Sequence, residues 1–173
     1  MKKNLIAFGY QARVGKDTAA EYLTKKNGGV TLSFAKAIYD IMAFAQETCG
    51  FPQEKDRHFL QYIGTQWARA KDPDVWLNVV LRKIKSLLAE DPNRPIYITD
   101  VRFPNEFDAL EALGFTMVNM RRDSGRPDFG NGSTLHESET ALIPYTRVGK
   151  WYLTIYNDGT LEELYCQLDC LFS

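Results

Sequence analysis

Gly15-Lys16-Asp17-Thr18 sets a flexible backbone, a long cation, a carboxylate and a hydroxyl in four consecutive positions. That combination suits a phosphate-bearing ligand. Backbone N–H groups, the positive end of a helix and a lysine ammonium can all meet the anion in one small volume. The chemistry needs a strand before these residues and a helix after them. Both are legible. Leu5-Ile6-Ala7-Phe8 is an apolar run ending in a turn-prone segment, and Ala19-Ala20-Glu21-Tyr22-Leu23 are good helix formers. The stretch Phe8 to Thr18, FGYQARVGKDT, approximates the phosphate-loop pattern G-x-x-x-x-G-K-[ST]. Tyr10 stands where the first glycine belongs, with Gly9 one place early. Asp17 replaces the usual hydroxyl residue, which arrives one place late as Thr18. An ordinary strand–turn–helix with an exposed lysine is the alternative reading. On the phosphate reading, the backbone from Arg13 and Val14 through Gly15 to Thr18, with the Lys16 ammonium, holds the β- and γ-phosphates of a nucleoside triphosphate. Asp17 is tolerable beside a triphosphate only with magnesium or another cation between them.

Further along the chain, Asp100 ends the apolar run Pro95-Ile96-Tyr97-Ile98-Thr99 and is a natural second anchor for hydrated magnesium. It could also cap the helix opening at Pro104, and the two roles can coexist. Arg102, Arg121, Arg122 and Arg126 follow strand ends or lie on a glycine-rich segment, where open α/β folds bind ligands. Guanidinium forks match phosphate geometry. Arg69, with Gln66, Asp74 and Trp76, falls in a helical stretch suited to a second substrate, although Trp76 is equally a core residue. His58 and His136 have no partner at metal-ligand spacing, and nothing suggests acyl chemistry.

The elements that must position these residues alternate strand with helix. Strands are expected at Val30-Thr31-Leu32-Ser33-Phe34, Pro95 to Asp100, Phe115 to Met120 and Trp151 to Tyr156, besides the first. Helices are expected from Lys16 to Lys26, from Ala35 to about Gly50, and from Glu54 to Lys71 with a break or close packing at Gly64. Others open at Asp72-Pro73, at Pro104, around His136 and at the capping box Thr160-Leu161-Glu162-Glu163. This alternation reads as an α/β fold with a parallel sheet of about five strands. The 173 residues form one domain, with a helical cap over about 35–92 and a mobile segment over about 122–140. A net charge of -1 gives no sign of stable nucleic-acid binding, and no stretch approaches the roughly 20 apolar residues of a membrane span. Cys49 reads as a buried thiol, and Cys166 and Cys170 as reduced, half-buried residues one turn apart.

Taken in order, several groups resemble the phage deoxynucleoside monophosphate kinase family. They are Gly15-Lys16-Asp17-Thr18, Phe34-Ala35 with Ile38 and Asp40, Gly64-Thr65 with Trp76, and Asp100-x-Arg102 with Glu106. Arg121-Arg122, His136-x-x-Glu139, Asn157-Asp158-Gly159 and Glu162-Glu163-Leu164 complete the series. The resemblance implies a three-layer P-loop NTPase-type fold with a helical acceptor-binding insertion. It implies transfer of the γ-phosphate of ATP to a deoxynucleoside monophosphate, with magnesium held through water by Asp17 and Asp100. Lys16 and Thr18 then serve the ATP phosphates, and Asn157 and Gly159 lie near the adenine. Phe34, Asp40, Gln66, Arg69, Asp74, Trp76, Arg102, His136 and Glu139 serve the acceptor, with Asp100 beside them. Lys16, Asp100, Arg102, Arg121 and Arg122 carry the catalysis, the last two from the lid. A cytoplasmic monomer or homodimer acting on small nucleotides is the implied setting. A P-loop kinase of another small acceptor, or a nucleotide-binding switch or assembly ATPase, remains the alternative.

Overall fold

β1 (Leu5–Tyr10) is buried at all 6 positions, as befits a strand with neighbours on both edges and helices on both faces. The computed structural model describes residues 5–123 and 137–172. β1 lies at the centre of a five-stranded sheet of order β2 (Val30–Leu32), β3 (Ile96–Val101), β1, β4 (Thr116–Arg121) and β5 (Leu153–Tyr156). It runs parallel to both β3 and β4, and β4 runs parallel to β5. The C-terminal ends of these four strands therefore open on the same side, and the loop leaving β1 emerges between the ends of β3 and β4. β2 is shorter than the expected strand, and Ser33 and Phe34 fall outside it.

Side chains alternate across the sheet. On one face, Ile6 and Phe8 join Tyr97, Val118, Met120 and Ile155. This face is covered by α1 (Lys16–Asn27) through Ala19, Ala20 and Leu23, and by α9 (Leu161–Phe172) through Leu164 and Leu168. The outer members of the α9 stripe, Leu161 and Leu171, stay exposed. On the other face, Phe107 of α6 (Pro104–Ala112) meets Trp151 edge to face, with ring centroids 4.8 Å apart. Two short helices, α7 (Glu137–Thr140) and α8 (Ile143–Arg147), precede β5. The Thr160 capping box is formed in both directions. The Thr160 N–H donates to Glu163 Oε2 (2.8 Å), and the Glu163 N–H donates to Thr160 Oγ1 (3.2 Å).

The chain divides into two compact units, Met1–Thr31 with Asp91–Ser173, and Leu32–Glu90. The second unit is helical. It contains α2 (Lys36–Cys49), α3 (Arg57–Gln61), a π-helical turn Tyr62–Trp67, α4 (Ala68–Lys71) and α5 (Val75–Glu90). The expected disturbance at Gly64 is the π turn itself. Gly64 is buried, a Cβ there would sit 3.0 Å from Ile38 Cδ1, and its carbonyl accepts the Trp76 indole N–H at 2.8 Å. Two local expectations need correction. Asp72 does not cap a helix opening at Pro73. Its carboxylate accepts the Asp74 N–H (2.9 Å) in a tight turn, and α5 begins at Val75. Cys49, Cys166 and Cys170 are all free and exposed, because Cys49 ends its helix and the other two lie off the Leu164–Leu168 stripe.

Candidate phosphate-binding site

The loop between β1 and α1 is shaped by two residues in the left-handed region, Arg13 at φ 61° and Gly15 at φ 94°. For arginine this conformation is uncommon, and two left-handed residues so close together belong to the kind of turn that gathers N–H groups around an anion. Gly15 immediately precedes the first turn of α1, so the helix N-terminus faces the same loop. Tyr10 at the position of the missing first glycine is explained by its neighbour. A Cβ on Gly9 would lie 2.4 Å from the Trp151 ring and 3.0 Å from the Val101 carbonyl. The close approach demanding a glycine thus falls one residue early, while Tyr10 is buried and stacks on Trp151 at a centroid distance of 6.1 Å.

Lys16 is only 7% exposed and its ammonium donates to the Gln11 carbonyl across the loop. Burial, and then the charge of Arg102, push its pKa down from 10.5 to about 8; Asp100, Asp17 and Glu139 pull in the other direction. The ammonium is thus a partly desolvated cation with two arms of electrostatic surroundings, one cationic and one anionic. Arg102, just past β3, forms an ion pair with Glu139 of α7. The other oxygen of that carboxylate accepts the Ala12 N–H at 3.3 Å. Arg102 is held from behind by Glu106, 1% exposed, whose Oε2 accepts the N–H groups of Arg102 (2.9 Å) and Phe103 (3.1 Å). Glu106 thereby caps α6. Asp100 is half-buried within β3 and Asp17 is exposed on the first turn of α1.

No protein-family model matches the chain. "Uncharacterized protein ORF77" of Ictalurid herpesvirus 1 (strain Auburn) is 35% identical over 166 residues, covering 92% of this chain; the chain spans 66% of the length of that protein. An Acanthamoeba polyphaga mimivirus protein named "Putative deoxynucleotide monophosphate kinase" is 29% identical over 178 residues, covering 89% of this chain and 88% of its own. Among solved structures, dephospho-CoA kinase from Campylobacter jejuni superposes with a TM-score of 0.58 at 14% identity, covering 98% of this chain and 96% of that one. The fold is the P-loop α/β fold.

Around the P-loop, the first unit brings together Val14, Gly15, Lys16, Asp17, Thr18, Asp100, Arg102 and Glu139. Thr18 is half-buried and Arg13 exposed. Arg121, the last residue of β4, is half-buried, lies 3.6 Å from the Asp123 carboxylate and has its guanidinium carbon 5.8 Å from the Tyr156 ring centroid. Its Nε is buried without a hydrogen-bond partner among the described residues. Arg122 follows, half-buried. Asn157, 7% exposed, donates its side-chain amide to the Val14 carbonyl at 3.0 Å, and Gly159 is exposed in the turn before α9. His136 and Arg126, with most of the expected lid, lie outside the described residues.

Phe34, Asp40, Gln66, Arg69, Asp74 and Trp76 belong to the second unit. Phe34 is buried, and Trp76, 4% exposed, has its indole N–H engaged by Gly64. Asp40 pairs with Lys36 one turn earlier, and Arg69 donates to the Pro73 carbonyl at 3.2 Å. Gln66 and Asp74 are exposed. Sequence reasoning named Glu106 in the family resemblance without giving it a role, and missed Gln11 and the Gly9–Trp151 contact. Only Glu106 had a local signal, a glutamate three positions after the N-cap.

Proposed function

We propose that this protein is an ATP-dependent nucleotide kinase that phosphorylates deoxynucleoside monophosphates. The observation that carries the reading is the placement of three cations by the sheet order. The P-loop with Lys16 follows central β1, Arg102 follows β3 on one side, and Arg121 ends β4 on the other. Phosphoryl transfer asks chiefly for positioning and neutralisation of developing charge, and this arrangement offers both from rigid strand ends. The name of the mimivirus relative supports the acceptor class.

In this reading the P-loop N–H groups and Lys16 hold the donor phosphates, Arg102 grips the acceptor monophosphate, and Arg121 and Arg122 meet charge building on the transferred group. An acceptor phosphate oxygen bonds to the γ-phosphorus as the bond to the leaving ADP oxygen breaks. Magnesium, if bound, would be held through water by Asp100 and Asp17 and would offset the charge of the donor phosphates. Asp100 and Asp17 fit it, since such an ion takes one or two carboxylates and keeps several waters. The residues of the helical unit, Arg69 and Gln66 foremost, are proposed to recognise the acceptor nucleoside.

The test is ADP formation from ATP and magnesium with a panel of deoxynucleoside monophosphates, ribonucleoside monophosphates and dephospho-CoA. Stimulation by one or more deoxynucleotides above the other arms is expected. ADP release independent of every acceptor would replace the kinase with a slow ATPase or switch, and stimulation by dephospho-CoA alone would transfer the reading to a coenzyme precursor.

A further inference from the structure

We infer that Asn157 is a positioning residue that aims the P-loop backbone at the donor phosphates, rather than a residue that reads the donor base. This rests on the phosphate-site reading above. Asn157 sits just past β5, 143 residues from Val14, yet its side-chain amide reaches the Val14 carbonyl at 3.0 Å in a buried setting. A peptide is planar and trans, so the Val14 carbonyl and the Gly15 N–H point in opposite directions across one bond. Holding that carbonyl toward Asn157 turns the Gly15 N–H to the opposite side of the loop. The same amide crowds residue 15, where a Cβ would lie 2.4 Å from Asn157 Nδ2. Gly15 is thus required twice, by its φ of 94° and by the asparagine behind it.

Asn157 is itself fixed. Its backbone N–H donates to the Arg121 carbonyl at 2.8 Å, and the next residue, Asp158, accepts the Asp123 N–H at 2.7 Å. One short turn therefore ties the donor loop to the strand end that carries Arg121. A side chain that is 7% exposed and already committed to a carbonyl has little left to offer a base.

Asn157→Asp keeps the shape and removes the donor, and Asn157→Ala removes the side chain. Thr160→Ala breaks the nearby capping box without touching the loop, and serves as a control for simple destabilisation. Binding of inorganic tripolyphosphate, ATP and GTP to each variant is measured by titration calorimetry, with thermal unfolding alongside. Both Asn157 variants are expected to weaken tripolyphosphate at least about tenfold, the scale of one buried hydrogen bond. ATP and GTP should weaken by the same factor, leaving their ratio unchanged, while Thr160→Ala leaves all three affinities intact. Unchanged tripolyphosphate affinity with an altered ATP-to-GTP ratio would make Asn157 a base reader and overturn the inference. An equal loss in Thr160→Ala would reduce Asn157 to a structural residue. If the unmodified protein binds none of the three ligands, the phosphate-site reading falls and takes this inference with it. Loss of binding in the variants alongside an absence of acceptor-dependent turnover would retire the kinase proposal and leave Asn157 in its role.

Discussion

Removing the charge of Lys16 should change how stability depends on pH. The folded protein holds this lysine at a pKa of about 8 against an ordinary 10.5, chiefly because it is buried. At about 1.4 kcal/mol per pH unit, that difference corresponds to about 3 kcal/mol. The sign follows from where the proton sits. Below about pH 8 both the folded and the unfolded chain are protonated at Lys16, and burying the charge costs the full amount. Between about pH 8 and 10.5 the folded chain sheds the proton while the unfolded chain keeps it, so this group's contribution to stability rises with pH. Lys16→Met keeps the aliphatic stem and eliminates the titration. Urea unfolding of both proteins at several pH values, with one curve subtracted from the other, cancels the other lysines and tyrosines. The difference should move in favour of the unmodified protein by up to about 3 kcal/mol across that window. Parallel curves would show that Lys16 is not desolvated in the folded protein, and would remove the physical basis for treating it as a preorganised phosphate ligand.

Arg102→Ala should depress kcat/KM for the acceptor by about 2–4 kcal/mol, the scale of a lost charged contact, while leaving ATP-analogue affinity nearly intact. Arg102→Lys should recover part of that, because an ammonium lacks the two-pronged fork; separate titrations with an ATP analogue and a monophosphate would expose the opposite assignment if only the analogue weakens. Gly9→Ala places a methyl 2.4 Å from the Trp151 ring and should cost about 1–3 kcal/mol in urea unfolding. A neutral result there would mean the indole yields without loss, and Trp151 would no longer explain why the loop's glycine is displaced.

What was legible in the sequence was whatever declares itself within a few residues. The five strands are short apolar runs between turn formers, and α1 and α9 are marked by Gly15-Lys16 and by the Thr160–Glu163 box, so the fold follows from local patterns read in order. Lys16 was legible from the glycine and the helix start beside it, and Asp100 and Arg102 from their place at the end of β3. What escaped were the contacts between distant segments. Nothing near Glu139 signals that its carboxylate will meet both Ala12 and Arg102, and nothing near Trp151 signals that it will press on Gly9. The cysteines were misjudged because thiols are usually buried, whereas exposure here is set by which side of a helix each one occupies. Asp72 was misjudged because a carboxylate before proline can cap a helix or close a turn, and its bond to Asp74 selects the turn.

The central position of β1 bears on how the protein is made. β1 leaves the ribosome well before its two hydrogen-bonded neighbours, β3 and β4, which are encoded only at Ile96–Val101 and Thr116–Arg121. A nascent chain that has emerged as far as Glu90 displays the complete phosphate-loop sequence while both edges of β1 are bare, and bare edges invite pairing with other chains. The Val14 carbonyl must wait longer still, until Asn157 has been synthesised. Every partial product that stops short of Asn157 therefore lacks the bond that fixes this carbonyl, and one that stops short of Ile96 lacks both strands that flank β1.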